Sequence, residues 1–182
     1  MSVVVALLSG EECMRLARRL GRAEFALRCA HPFLVLGESP EEEREFETRI
    51  IDVSAIARLR GSGSGPVEAA GGAAADGPAH VFPVEKSERN PYRDRISVGR
   101  AATCDLVLPS PHVSKLHAHL LRAQDGGWEV RDADSSNGTF LRGERLRPGE
   151  RARLRAGDAL RFAFLETFFL DAGLLHDWAR ER

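Results

Sequence analysis

The chain has 182 residues, of which 43% are hydrophobic and 29% charged, enough for one domain with an extension or for two small domains. Its formal net charge of −1 at pH 7 gives no overall field that would attract nucleic acid or an anionic membrane, so we expect neither as a partner. The cysteines Cys13, Cys29 and Cys104 are odd in number, widely spaced and without a C-x-x-C pair, which argues against a disulfide framework or a zinc site. We therefore expect a cytoplasmic protein without a metal or cofactor.

Residues 1–60 are predicted to form a small α/β extension of unknown role. Its first apolar run is too short to span a bilayer and lacks the basic flank of a signal peptide. Ser9 is a suitable N-cap for a helix, because Glu12 three residues later completes a capping box, and Gly21 is a suitable stop. Strands are predicted at residues 3–8, 33–36 and 46–53.

Residues 61–79 have the composition of a flexible linker. They are rich in Gly, Ala and Ser and have almost no aromatic or branched side chains. Such a segment cannot bury enough apolar area to offset the entropy of ordering its backbone. We place the domain boundary here, between the N-terminal extension and a second domain at residues 80–182.

From residue 80 onward the pattern changes to short strands separated by turn signals, which is typical of an antiparallel β-sandwich. Strands are predicted at residues 81–85, 95–98, 105–108, 118–122, 128–131, 139–141, 144–146, 151–154, 159–164 and 167–170. Residues 173–182 alone in this part of the chain look helical, and they carry Leu174, Leu175 and Trp178, which could pack back on the sandwich.

Three predicted loops carry side chains that could meet at one end of such a sandwich. One contains Arg100, the next contains Ser114 and Lys115, and the third contains Ser136 and Asn137. A phosphorylated side chain presents a dianion with strong acceptor oxygens, and arginine, lysine and a hydroxyl are suitable partners for it. A carboxamide offers both a donor and an acceptor, which suits the main chain of an extended peptide.

Each of these signals also has an ordinary structural explanation. A Ser-Ser-Asn-Gly-Thr run is a good turn sequence, because Asn and Gly accept positive φ. His117 is expected to face inward and brace a loop, and Asp132 and Asp134 to brace the turn. An enzyme would use Ser114 as nucleophile and His117 as base, but no nucleophile elbow or oxyanion device accompanies them, so we expect no catalytic activity.

The order of the motifs is more specific than any one of them. Gly99-Arg100 is followed by Cys-Asp-Leu-Val-Leu at residues 104–108, by Ser-Lys-x-His-Ala at residues 114–118, by Asp-x-Asp-Ser-Ser-Asn-Gly-Thr-Phe at residues 132–140 and by a Leu-x-x-Gly-Asp-x-Leu-x-Phe pattern at residues 154–162. Over residues 80–170 the chain resembles the forkhead-associated (FHA) domain family. The resemblance implies a mainly β fold, an eleven-stranded sandwich of the SMAD/FHA type, whose apical loops bind phosphothreonine peptides.

The resemblance also implies roles for individual residues. Arg100 and Ser114 would hold the phosphate, with Lys115 beside them where the family often has arginine. Ser136 and Asn137 would engage the peptide backbone, and His112 would contact residues after the phosphothreonine. The remaining motif residues would shape the loops: Gly99, His117, Asp132, Asp134, Gly138 and Thr139.

The predicted function is that of a signalling adaptor. It would recognise a Thr-phosphorylated protein, such as a Ser/Thr kinase or a kinase substrate, in a bacterial-type pathway. The alternative is a scaffold that binds its partner without phosphate, through the same sandwich or through the N-terminal extension.

Overall fold

The computed structural model describes residues 9–36 and 80–181. The strands predicted at residues 3–8 and 46–53 and the linker predicted at 61–79 lie outside the described residues. The predicted β-sandwich with a C-terminal helix is confirmed. The elements in chain order are α1 (Gly10–Arg19), α2 (Arg22–Arg28), β1 (Phe33–Leu36), β2 (Val81–Pro83), β3 (Arg95–Gly99), β4 (Leu106–Val107), β5 (Ala118–Arg122), β6 (Trp128–Asp132), β7 (Thr139–Leu141), β8 (Glu144–Arg145), β9 (Arg151–Leu154), β10 (Asp158–Phe162), β11 (Leu165–Leu170) and α3 (Ala172–Arg180).

The eleven strands within the described residues form two sheets. One has the order β2-β1-β11-β10-β7-β8 and the other the order β4-β3-β5-β6-β9. Neighbouring strands are antiparallel except for the parallel pair β3–β4. The side chains between the sheets form one core, because alternate residues of each strand point to the same face. In β10, for example, Leu160 and Phe162 are fully buried while Arg161 between them is half-buried.

Strand β1 lies inside the six-stranded sheet and not in a separate extension. Its residues pair with β11 from Phe33–Leu170 to Leu36–Thr167, and on its other side it pairs with β2. All four of its residues are buried. The sequence analysis separates residues 1–60 from the sandwich, whereas the eleventh strand comes from that part of the chain. A short apolar run indicates a strand buried on both faces, but it does not reveal which strands it pairs with.

The three helices pack together at the end of the sandwich where β11 leads into α3. Helix α1 begins with the predicted capping box, in which the Ser9 amide donates to the Glu12 carboxylate (2.8 Å) and the Glu12 amide to Ser9 Oγ (3.3 Å). Phe25 of α2 and Trp178 of α3 are fully buried, and Arg18 Nε donates to the carbonyl of Ala179 (3.3 Å). No helix within the described ranges is long and apolar enough to cross a membrane.

We predict that Leu34→Ala lowers the free energy of unfolding of the whole sandwich by about 2–5 kcal/mol, because it leaves a cavity in a strand flanked on both sides. Urea denaturation followed by the fluorescence of the two tryptophans measures this change. Leu27→Ala is the matched control: Leu27 is 84% exposed and Leu34 is fully buried, so the control should stay within about 0.5 kcal/mol of wild type. Equal stability of the two variants would contradict the placement of β1 in the sheet.

Candidate functional site

Four connections meet at the end of the sandwich opposite the helices, which we call the loop end: β3–β4, β4–β5, β6–β7 and the β10–β11 turn. The Arg100 amide donates to the carbonyl of Ser114 (3.0 Å), and the Ser136 amide donates to Ser114 Oγ (3.1 Å). The Ala163 amide donates to the carbonyl of Gly138 (3.0 Å). These bonds bring together loops that are far apart in the sequence.

The main chain of the first two loops is held in close contact. Besides the bond from Arg100, the Ala101 amide donates to the carbonyl of Lys115 (3.1 Å). Gly99 permits this approach, because a Cβ atom at its position would collide with the Lys115 carbonyl oxygen. The backbones of Arg100 and Lys115 are therefore fixed while their side chains are exposed.

The exposed cations of these loops are available to an anion. Within the described residues, neither the guanidinium of Arg100 nor the ammonium of Lys115 has an ion-pair or hydrogen-bond partner. A third cation, Arg145, to which the sequence analysis gives no role, lies with its guanidinium against Gly138 of the β6–β7 loop. It is placed there by the pairing of β7 with β8 across the two-residue turn Arg142-Gly143, as the predicted strands at 139–141 and 144–146 indicate.

Ser114 combines a structural contact with a free donor. Its Oγ accepts the Ser136 amide, so the hydroxyl hydrogen remains available to a ligand. Its own amide donates to Nδ1 of His117 (3.0 Å). Ser114 thus links two loops through its backbone and its side chain and still presents one O–H at the loop end.

His117 joins the β4–β5 and β6–β7 loops from inside the protein. The ring is fully buried, Nδ1 accepts from Ser114, and Nε2 donates to the carbonyl of Gly138 (3.1 Å). This pattern requires the neutral tautomer with hydrogen on Nε2, because a hydrogen on Nδ1 would face the Ser114 amide hydrogen. Burial lowers the pKa of His117 and outweighs the opposite effects of the Gly138 carbonyl and Asp132.

Asp132 holds the β6–β7 turn in shape. Its carboxylate accepts from the amide and hydroxyl of Ser135 (2.8 and 2.7 Å) and from the hydroxyl of Thr139 (2.6 Å). Burial alone would raise the pKa of Asp132, but the hydrogen bonds from Thr139 and Ser135 outweigh it and lower the pKa. The turn also uses positive φ at Asp134 (63°) and Gly138 (83°), residue types that tolerate this conformation.

Asp105, another residue that the sequence analysis does not single out, fixes the start of β4. Its buried carboxylate accepts from the amide and hydroxyl of Ser97 (2.7 and 2.8 Å), from both donors of Ser87 (2.8 Å each) and from Lys86 (3.0 Å). Burial would raise the pKa of Asp105, but its hydrogen bonds, with that from Asn90 the strongest, lower the pKa well below its ordinary value. Hydrogen bonds therefore hold the β3–β4 loop on both the N-terminal and the C-terminal side of Arg100.

Asn137 and His112 are also in contact. The Asn137 side-chain amide donates to the carbonyl of His112 (2.9 Å), which leaves its second N–H and its oxygen for other partners. The His112 ring lies edge-on to Phe164 at 5.2 Å, and Phe164, in the β10–β11 turn, is 48% exposed. The loop end therefore includes an aromatic surface. The sequence analysis did not predict it, because it placed Phe164 in a strand at residues 159–164 and not in a turn.

The hydrogen bonds of the site are not those of a nucleophilic triad. His117 contacts the backbone amide of Ser114 and not its hydroxyl, and its second nitrogen bonds a carbonyl and not a carboxylate. Asp132 is engaged by Ser135 and Thr139. The arrangement suits the binding of an anion, and no group in the described part of the chain is placed to activate the Ser114 oxygen.

Comparison with known proteins finds a family match and partial relatives. The family model for the FHA domain matches residues 96–163. A protein phosphatase 1 regulatory inhibitor subunit homologue of Arabidopsis thaliana is 33% identical over 100 residues, which are 50% of this chain and 27% of the relative. An ABC transporter ATP-binding/permease protein of Mycobacterium tuberculosis is 37% identical over 79 residues, which are 43% of this chain and 9% of the relative. The chain thus spans about a quarter or less of these relatives.

Among solved structures, the chain is similar to Mycobacterium tuberculosis EmbR in complex with a low-affinity phosphopeptide. The identity is 31%, the TM-score is 0.39, and the likeness covers 43% of this chain and 20% of that chain. A second similar structure is the MEK1 FHA domain in complex with a HOP1 phosphothreonine peptide, with 26% identity and a TM-score of 0.40 over 50% of this chain and 87% of that chain.

We predict that His117 titrates below the ordinary histidine pKa of about 6.5 when followed by NMR. Because the folded pKa is lower than the unfolded one, this histidine contributes its full stability above pH about 6.5 and loses it as the pH falls. The variant His117→Gln should therefore show a shallower loss of stability towards pH about 5. Some loss of unfolding free energy towards low pH should remain in this variant, because burial also lowers the pKa of His119.

His80→Gln is the control for this experiment, because His80 is exposed. The unfolding free energy of this variant should change with pH as that of the wild type does. A His117 midpoint at or above the ordinary value would show that the ring is not held as the neutral tautomer.

Proposed function

Residues 96–163 of this chain are an FHA domain, and from that premise we propose that its loop end binds proteins phosphorylated on threonine. The observation that carries the proposal is the presence of two exposed cations, Arg100 and Lys115, which have no partner among residues 9–36 and 80–181 and lie beside the free hydroxyl hydrogen of Ser114. The chain would act as a signalling adaptor that recognises a phosphorylated site without making or removing it.

The chemistry of the three groups suits a phosphate dianion. The guanidinium of Arg100 can donate two parallel hydrogen bonds to phosphate oxygens, and the Ser114 hydroxyl can donate a third. Lys115 adds a compact charge without the planar fork of arginine. No protein rearrangement is needed to expose these donors, so little binding energy is lost to reorganisation.

The rest of the loop end suits an extended peptide on either side of the phosphate. Ser136 has an exposed hydroxyl, and Asn137 keeps one N–H and its oxygen for peptide carbonyl and amide groups. His112 and Phe164 offer an aromatic surface for a side chain of the partner. We propose that the phosphate supplies the main anchor and that these residues choose among peptide sequences.

The proposed setting is the cytoplasm of a bacterium with Ser/Thr kinases, where the partner is a phosphorylated kinase or kinase substrate. The competing proposal is a scaffold that binds without phosphate. The two differ in one measurable respect, because only the first requires the phosphate group.

The central test is calorimetric titration with a phosphothreonine peptide library and its unphosphorylated and phosphoserine counterparts. We predict that Arg100→Ala weakens phosphopeptide binding by about 10–100-fold, since a hydrogen bond to a charged group contributes about 1.5–3 kcal/mol. Arg180→Ala is the matched control, because Arg180 is an exposed arginine in α3 at the opposite end of the sandwich, and it should bind like wild type.

Equal affinity for phosphorylated and unphosphorylated peptides would refute the proposal and favour the scaffold. Full affinity in Arg100→Ala would remove this residue from the phosphate site.

A second prediction concerns Lys115. Restoring the planar fork by Lys115→Arg should tighten phosphopeptide binding several-fold, whereas Lys115→Ala should weaken it less than Arg100→Ala does, because a lysine contact is less directional. The same calorimetric titration measures both variants. Loss of affinity in Lys115→Arg, with the fold intact by circular dichroism, would show that the lysine does not face the phosphate.

A further inference from the structure

Two cysteines and a histidine meet at the helical end of the molecule, far from the loop end. Cys13 lies in α1, Cys29 caps the C-terminal end of α2, and His31 lies two residues before the first residue of β1. The two Sγ atoms are 4.0 Å apart, and one ligand atom from each of the three residues falls within 4.8 Å of the others. The wide sequence spacing of the cysteines argued against a metal site, but the turn between α1 and α2 brings them together.

We propose that Cys13, Cys29 and His31 bind a zinc ion. Two thiolates and one imidazole are a donor set that zinc favours, and tetrahedral coordination with Zn–S bonds of about 2.3 Å separates two sulfurs by about 3.8 Å. The observed sulfur separation needs little adjustment to reach that value. A disulfide would use the same sulfurs, but it would need an oxidant and would leave His31 without a role.

The surroundings of the cluster differ on its two sides. Both cysteines are fully buried, which closes the thiol side to solvent. The His31 side opens on a cavity of about 420 Å³ that is lined by His31, Glu85, Arg122 and Trp128 among others. This cavity opens the His31 side of the site to solvent and leaves room for a water molecule as the fourth ligand.

Glu85 completes the arrangement as the partner of His31. Its carboxylate lies 3.0 Å from Nε2 of His31, and Nδ1 lies 3.3 Å from the carbonyl of Pro32. The ring nitrogen that binds the metal must release its present partner. The other nitrogen keeps its carboxylate or carbonyl partner, which fixes the orientation of the ring, as is common for metal-bound histidines.

The charge balance of binding is favourable. Zn²⁺ replaces the two thiol protons, which pass to solvent, so the buried site gains no net charge. Binding should therefore weaken as the pH is lowered. The bound ion would tie α1 and α2 to the start of β1.

The test begins with the untagged full-length chain, measured for zinc by mass spectrometry after purification. The chelator-treated protein is then titrated with Co²⁺, whose thiolate charge-transfer and tetrahedral ligand-field bands report the donor set. We expect one equivalent of metal, lost in Cys13→Ser and Cys29→Ser. Cys104→Ser is the matched control, because Cys104 is also buried but belongs to another part of the fold, and it should keep the bands.

Further measurements guard against misfolded variants. Zn²⁺ should raise the melting temperature of the wild-type chain, and a chelator should reverse the shift. Glu85→Gln should weaken binding by about 10–100-fold, as loss of an outer-shell carboxylate usually does. Absence of cobalt bands and of a melting shift in wild type, equal bands in the cysteine variants, or a Cys13–Cys29 disulfide in place of metal would each overturn the proposal.

Discussion

The buried imidazole of His117 connects the loop that carries Ser114 to the loop that carries Asn137 and Gly138. It accepts from the Ser114 amide with one nitrogen and donates to the Gly138 carbonyl with the other. The same Gly138 carbonyl receives the Ala163 amide, so the β10–β11 turn depends on this bridge as well. Because all these partners are backbone groups, a change in the ring would move the main chain of three loops and with it the exposed cations and hydroxyl.

The two hydrogen bonds of His117 can fix the loops because neighbouring residues already restrict the loop backbone. Asp105 anchors the segment after Arg100 with donors from β3 and from the chain before it, and Asp132 closes the β6–β7 turn. Both carboxylates keep their charge in a buried setting because several donors surround each of them. Strand β1, in turn, fills the space between β2 and β11. The shape of the loop end is therefore set by buried polar groups beneath the exposed side chains.

The local features of the fold could be predicted from the sequence. The features that depend on contacts between segments far apart in the sequence could not. The Ser9 cap, the C-terminal helix and the alternating strands follow from short-range patterns, and the loop residues were found by their order along the chain. The location of β1 in the sheet depends on its pairing with β11, far away in the sequence, which no local pattern encodes, and the exposure of Phe164 was not predicted either. The same holds for the proximity of Cys13, Cys29 and His31, which lie far apart in the sequence and are brought together by the packing of two helices.

The most direct test of the account is a ¹H–¹⁵N NMR titration of the full chain with a phosphothreonine peptide selected from the library. We expect the largest amide shifts on Arg100, Ser114, Ser136 and Asn137 and a smaller shift on His117, which is hydrogen-bonded to Ser114. The unphosphorylated peptide should produce none of these shifts. Shifts confined to the helical end, or identical shifts with both peptides, would contradict the account.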